Sequence, residues 1–200
     1  MTHSYTNRMS RSANPRLDNL LASLSLNLAA EGQQAMERAT GLSGSAATAL
    51  LALEQFLDGT HVGRLADVLG LTHSGAVRLV TLLERPGLVV RSAGTDRRRV
   101  EVRLTAAGRR AAARARAARD EVVRQATERL DADEAAVLER LLGGLVAARV
   151  AQRVERRRDG ESGAWWCRTC DFAACGRPEG RCPAQVTAEG LVVKDNDRHE

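Results

Sequence analysis

Apolar residues near the start of the chain recur with a helical period. Leu17, Leu20, Leu21, Leu24 and Leu28 share one face, which predicts a helix from Pro15 to about Arg38 with a far-off packing partner, the C-terminal helices. Ala46, Ala47, Leu50, Leu53 and Leu57 repeat the pattern over 43–57, and Asp58-Gly59-Thr60 reads as a turn. Val62, Leu65, Ala66 and Leu69 then form a short helical pattern that Gly70 can end in the left-handed conformation. Leu71 fills the turn, and Thr72 is positioned to cap a second pattern carried by Ala76, Leu79, Val80 and Leu83. Two short helices joined by a tight, glycine-containing turn are the sequence form of a helix-turn-helix.

The period then changes from helical to alternating. Pro86 disfavours helical geometry at Arg85, Gly87 can close the helix, and the chain reverses. Leu88–Arg91 is strand-like, and Val100, Val102 and Leu104 alternate with Arg99, Glu101 and Arg103 as in a half-buried strand. The segment between, Ser92 to Arg98, is small and polar and then strongly basic. A helix-turn-helix followed by a basic hairpin is a winged helix, in which a helix N-terminus suits the major groove and an arginine-tipped hairpin suits phosphates or the minor groove.

The residues Leu65-Ala66-Asp67, Leu71-Thr72, Arg78-Leu79-Val80, Leu83-Glu84, Gly87-Leu88-Val89, Asp96-Arg97-Arg98 and Leu104-Thr105-Ala106-Ala107-Gly108 resemble the MarR family of bacterial transcriptional regulators. The resemblance covers most of residues 15–155, and its most specific part is the pairing of Asp-Arg-Arg with Leu-Thr-x-x-Gly across the wing. It implies a mainly α fold with a small β-hairpin wing. It also implies a homodimer on a pseudo-palindromic double-stranded DNA operator, and a small-molecule effector or redox signal that changes the spacing of the groove readers.

Beyond the wing, Thr105 is expected to cap a long Ala/Arg-rich helix reaching about Leu130. Its Arg109, Arg110, Arg114, Arg116 and Arg119 read as a solvated face in preference to a DNA-facing patch. Asp131 and Glu134 form a capping-box pattern for a further helix. That helix carries Val137, Leu138, Leu141, Leu142, Leu145, Val146, Val150 and Val154, a stripe long enough to pair with a second subunit.

Composition narrows the class. A hydrophobic fraction of 44% and a charged fraction of 28% are those of a soluble globular protein, and only 2% aromatic residues leave the core to Leu, Val and Ala. The formal net charge is +5, and His61–Thr105 holds eight arginines against two aspartates and two glutamates, so the charge is concentrated in the winged helix. Lys194 is the single lysine, an imbalance that a GC-rich genome also produces. No apolar run is long enough to span a bilayer and no signal core is evident, so a cytoplasmic, non-membrane protein is expected.

Around Arg156-Arg157-Arg158-Asp159-Gly160 the helical pattern ends in a polar linker. All four cysteines follow, Cys167, Cys170, Cys175 and Cys182, spaced C-x2-C-x4-C-x6-C among both tryptophans and Phe172. A C-x2-C pair can place two thiolates on one tetrahedral ion, and two further cysteines complete a closed four-thiolate site. Nothing in the family core resembles this segment. It is too short and polar to fold on apolar burial alone, so a metal is expected to supply its folding energy. Zinc is favoured. An iron–sulfur cluster is the alternative because a second C-x2-C is missing and Cys182 precedes a proline, while a reducing cytosol disfavours disulfides.

Candidate DNA contacts divide between the two readers. On the second helix His73, Ser74, Gly75, Val77 and Arg78 are the outward positions near the N-terminus; Arg78 can grip a guanine edge or a phosphate, and Val77 can touch a thymine methyl. The family usually has Ser or Thr where Gly75 and Val77 stand, which leaves fewer hydrogen-bonding groups here. In the wing the resemblance implies that Asp96 orients Arg98 into the minor groove, with Arg97 and Arg99 on phosphates.

The expected organisation is a disordered N-terminus (1–14), a dimerisation helix (15–40), the winged helix-turn-helix (41–105), C-terminal dimerisation helices (106–158) and a four-cysteine metal-binding tail (159–200). The expected function is a DNA-binding transcriptional regulator, a homodimeric repressor. A winged-helix protein–protein adaptor with the tail as docking module is the alternative. An enzyme is not expected, since no paired carboxylates, nucleophile–base set or phosphate loop is present. Because both groove readers lie outside the tail, metal removal is expected to leave DNA affinity almost unchanged.

Overall fold

Asn14 opens the first helix: its side-chain oxygen accepts the Leu17 amide at 3.0 Å, and Pro15 occupies the first turn, where a missing N–H is tolerated. The computed structural model describes residues 14–93, 100–161 and 163–196. The expected disordered N-terminus therefore lies outside the described residues, Asn14 excepted.

Helix α1 spans Pro15–Thr40 and ends on Gly41 in the left-handed conformation. Glu37 accepts the Gly44 amide at 2.8 Å, tying the end of α1 to the start of α2 (Gly44–Ala52). α2 is the hub of the core, with Ala46, Ala47, Ala49, Leu50, Leu51 and Ala52 all buried. It runs on through a π-helical turn over Leu53–Leu57, which buries Leu53 and Leu57 and leaves Phe56 half-exposed.

A short strand, β1 (Thr60–His61), follows where the sequence reads only as a turn, and it pairs with the second wing strand. α3 (Val62–Leu69) starts on His61, whose Nδ1 accepts the Arg64 amide at 2.9 Å, and ends on Gly70 at φ 67°. α4 (His73–Glu84) is capped by Thr72, whose hydroxyl accepts the Gly75 amide at 3.1 Å. The wing is β2 (Val89–Ala93) paired antiparallel with β3 (Val100–Leu104), so the sheet order is β1-β3-β2. Ala76, Leu79, Val80 and Leu83 of α4 are buried, as their period predicts, with Val102 and Leu104 of β3 beneath them; Val100, the outermost of the alternating valines, is exposed.

The end of α4 departs from expectation. Arg85 keeps right-handed helical geometry despite Pro86, and the Arg85 amide still donates to the Thr81 carbonyl at 3.2 Å. The reversal falls instead at Gly87, at φ 70°, after which the Leu88 amide donates to the Leu83 carbonyl.

α5 (Ala106–Thr127) begins at Thr105, whose hydroxyl accepts the Gly108 amide and donates to the Gly87 carbonyl at 2.7 Å. Gly108 is required by a close approach: a Cβ there would stand 2.0 Å from the Leu88 carbonyl oxygen. The Leu-Thr-x-x-Gly pattern is thus the joint that seats α5 on the wing. α5 is the helix on which α1 packs, through Met36 and Ala115 against Ala47 and Leu51 of α2. Arg109, Arg110 and Arg114 are exposed, as a solvated face predicts, and Arg116 and Arg119 are half-buried. Arg109 reaches Asp58 at 3.2 Å, Arg116 reaches Glu54 at 2.6 Å, and Arg114 donates to the Ala39 carbonyl.

α6 (Ala132–Arg158) carries the anticipated capping box, with the Asp131 carboxylate on the Glu134 amide and the Glu134 carboxylate on the Asp131 amide. The segment after it is not a dangling tail. It makes a 3-10 turn at Trp166–Thr169 and ends in a helix absent from the sequence reading, α7 (Pro183–Asn196), which packs on α6.

Candidate nucleic-acid interface and cysteine cluster

The N-terminal face of α4 is open. His73, Ser74, Val77 and Arg78 are exposed and Gly75 is half-exposed, because the face opposite carries the buried stripe into the core. Ser74 lies 3.3 Å from the Thr72 hydroxyl, so its oxygen sits in the same capping network that fixes the helix start. The side chains of Asp96, Arg97, Arg98 and Arg99 lie outside the described residues.

One residue the sequence reading passed over joins the two readers. Arg91, on β2, donates to Glu84 at 2.8 Å and to the Thr81 hydroxyl at 2.8 Å, with a longer contact to the Val77 carbonyl at 3.4 Å. The guanidinium fork therefore clamps the wing to the exposed side of α4 and fixes the angle between them. A run of arginines around a hairpin reads as DNA contacts; only the position of Glu84 and Thr81 one helical turn apart hinted at a clamp. A hollow of about 480 Å³ lies beside it, between His73, Val77 and Thr81 of α4 and Arg91 and Val100 of the wing.

The arrangement can do two things chemically. Arg78 and the Ser74 hydroxyl offer donors at a protruding helix start, the geometry that enters a major groove. The described part of the hairpin lies beside the same face, joined to it by Arg91. Glu101 and Arg103 pair with one another at 2.7 Å, so Arg103 is committed to the sheet surface.

Residues 40–99 match a model of the MarR family. The chain carries a MarR-family domain. Solved structures agree with it. A MarR family protein from Bacillus stearothermophilus shares 29% identity and a TM-score of 0.57, covering 64% of this chain and 89% of that one. A MarR family transcriptional regulator from Rhodococcus sp. RHA1 shares 28% identity at a TM-score of 0.52, over 68% of this chain and 96% of that one. CouR from Rhodococcus jostii RHA1, solved bound to p-coumaroyl-CoA, shares 28% identity at a TM-score of 0.51, over 68% and 95%. No curated protein matches the sequence.

Beside the MarR-family domain, a cavity of about 570 Å³ opens between α1, α2 and α5. Leu28, Met36 and Leu69 give it apolar walls, Thr48 a hydroxyl, and Arg119 and Arg168 cationic edges. Its volume is that of a small-molecule site. Among the described residues no helix is long and apolar enough to cross a membrane.

The cysteine segment docks on the MarR-family domain. Its Trp165 amide donates to the Val68 carbonyl of α3 at 2.7 Å, and its Phe172 amide donates to Gln55 at 3.1 Å. Phe56 stacks between the Trp165 and Phe172 rings, with centroids 6.3 and 5.3 Å away. Arg64 of α3 lies over the Trp165 ring at 4.1 Å. Asp171 meets Arg116 at 3.6 Å, and Arg119 donates to the Thr169 carbonyl. Apolar burial thus contributes to holding a segment that its polarity suggested only a metal could fold.

The thiols lie in two pairs. Cys167 and Cys170 hydrogen-bond to one another, which brings the Cys167 thiol down to about 6 and pushes that of Cys170 up. Cys175 is pushed up by burial and by its hydrogen bond with Cys182. Cys182 is buried with Ala184 against Val150 of α6, and Cys167 and Cys175 pack at the same cluster. Among the described residues, no three potential ligands stand close enough together to hold an ion as they lie.

Proposed function

We propose that the protein is a homodimeric transcriptional regulator, a repressor, that reads a pseudo-palindromic DNA operator with α4 in the major groove and the wing alongside. The observation that carries this reading is the open N-terminal face of α4, with Ser74, Val77 and Arg78 exposed and the wing clamped beside it by Arg91. Asp96 and Arg98 are assigned to the minor groove, and Arg97 and Arg99 to phosphates, on the resemblance of the Asp-Arg-Arg motif to the family's.

The dimer is supported by two uncovered apolar faces. Leu17, Leu20, Leu21 and Leu24 of α1 are 44 to 57% exposed, and Val137, Leu141, Leu142 and Leu145 of α6 are 46 to 51% exposed. Apolar stripes of this length on two helices are costly to leave in water, and a second copy would cover both at once. Release by a ligand is assigned to the cavity between α1, α2 and α5. It borders Leu69 and Leu71 at the helix-turn-helix, so an occupant there would bear on the spacing of the groove readers. CouR, a structure of the same fold, holds an acyl-CoA ligand.

The test is affinity for duplex DNA drawn from a randomised pool, measured at stepped salt. Selective binding whose logarithm falls linearly with the logarithm of salt is expected, because each neutralised phosphate releases counterions. Retention of an acidic protein with no duplex binding would favour the adaptor reading instead.

A further inference from the structure

We propose that Cys167, Cys170, Cys175 and Cys182 hold one tetrathiolate metal centre, occupied by zinc, that pins the helix-turn-helix to α6. The regulatory consequence rests on the DNA-binding reading above; the centre itself does not.

The cysteines come together from both sides of a junction. Cys167 and Cys170 follow the Trp165 anchor, which is hydrogen-bonded to Val68 of α3 and stacked on Phe56. Cys182 belongs to the cluster formed with Val150 of α6 and Ala184 of α7, with Val146 and Val154 packed on it. Cys167 therefore follows the anchor on α3 and also packs at the cluster on α6, so the cysteine segment joins the DNA-binding unit to the helix assigned to the dimer.

The pairing suits a shared ion. Four sulfurs on a tetrahedral zinc, with bonds of about 2.3 Å, stand roughly 3.8 Å apart, which is the reach of a hydrogen bond between thiols. Cys167, Cys175 and Cys182 already share one packed cluster, and Cys170 lies one tight turn from Cys167. Among the described residues the thiols do not stand within binding distance of one ion as they lie, so a metal would draw them together. On binding, each of the four thiols gives its proton to solvent and its sulfur to the metal, leaving a centre of net charge −2. Arg177 stands close enough to Cys167 for its charge to act there, and it can offset part of that charge.

The backbone between the pairs is built from tight turns. The Cys170 amide donates to the Cys167 carbonyl at 3.1 Å, the Cys175 amide to the Asp171 carbonyl at 3.0 Å, and the Arg181 amide to the Gly176 carbonyl at 2.8 Å. Apart from the 3-10 turn the stretch has no helix or strand before α7, so a metal would add the missing rigidity. With no histidine in the segment and every thiol committed, the centre would be closed and structural.

Its loss would be felt at the recognition unit. Ala164 sits against Gly70, where a Cβ would come 2.6 Å from the Ala164 nitrogen, so the segment also backs the turn between α3 and α4. Releasing the thiols would loosen this backing and the Trp165–Val68 hydrogen bond together.

The experiment is metal analysis and an absorption spectrum of the full chain purified without oxygen, followed by deuterium exchange before and after chelation. Colourless protein with about one zinc per chain is expected, with faster exchange at Val62–Leu69 after chelation. Because the segment is bonded to α3 through Trp165, the sequence-based expectation of unchanged DNA affinity gives way to a fall of roughly 5- to 150-fold. Brown protein with iron and sulfide would support the same four ligands with an iron–sulfur cluster in place of zinc. Cys182→Ser should lower metal content; zinc added back to reduced, metal-stripped wild-type chain reads binding independently of that variant's folding. Metal-free protein with four freely titrating thiols would overturn the proposal while leaving the DNA reading intact. Full zinc with unchanged exchange at α3 would overturn the coupling. Full zinc with no duplex binding would instead defeat the DNA reading.

Discussion

The backbone N–H of Trp165 donates to the carbonyl of Val68 at 2.7 Å. Val68 is fully buried in α3, so this bond reaches from an appended segment into the core of the helix-turn-helix. Around it the Trp165, Phe56 and Phe172 rings and the Arg64 guanidinium form one continuous stack. Phe56→Ala should remove the middle of that stack, where each aromatic pair is worth about 0.5–1.5 kcal/mol beyond its buried area. Limited proteolysis should then cut between 163 and 182 sooner, with the MarR-family domain intact; an unchanged cleavage rate would show that the stack does not hold the segment.

Gly108→Ala should destabilise the whole domain. The added methyl would meet the Leu88 carbonyl oxygen at 2.0 Å, and the start of α5 cannot shift without losing the Thr105 cap. A cost of about 1–3 kcal/mol or more is expected, read as a lower thermal midpoint. A midpoint equal to wild type would mean that α5 does not seat on the wing in this way.

Replacing Leu141 and Leu145 with glutamate should produce monomers. Both side chains are about half exposed on α6, so the change costs the lone subunit little while placing charge in the proposed interface. Light scattering is the measurement, and an unchanged dimer mass would remove α6 from the interface.

Arg78→Ala and Arg98→Ala should fail differently. Loss of Arg78 from the exposed face of α4 should change which duplexes are preferred, at about 1–3 kcal/mol on the favoured sequence. Loss of Arg98 should lower affinity by a similar amount, chiefly on sites with a narrow minor groove. Equal affinity and equal preference in both variants would mean that neither residue reads DNA.

The buried side of this fold was legible because its signals are local. Thr72, Thr105 and Asp131 cap as their positions predict, and the α4 stripe Ala76-Leu79-Val80-Leu83 is buried at its predicted period. Arg85 was misjudged because the preference imposed by a following proline is weaker than the last hydrogen bond of a well-packed helix. The exposed face of α5 arginines was legible, but the pairing of Arg109 and Arg116 was not, because their partners Asp58, Glu54 and Asp171 lie 51 to 62 residues away, where no periodicity reaches. The docking of the cysteine segment was hidden for the same reason. Phe56 and Gln55 give no sign in the sequence that residues beyond 160 will pack on them. Of the candidate DNA contacts, those on α4 could be read from one exposed helical face, whereas Arg91 looked like one more basic wing residue until its bonds to Glu84 and Thr81 were seen.

Binding of the full chain to a randomised duplex pool, followed by affinity of the selected sequence across stepped salt, tests the central claim most directly. A regulator with α4 and the wing on DNA should enrich a two-fold-related sequence, with half-sites about one helical turn apart, and should lose affinity linearly on logarithmic axes as salt rises. No enrichment over the starting pool, or binding indifferent to salt, would contradict it.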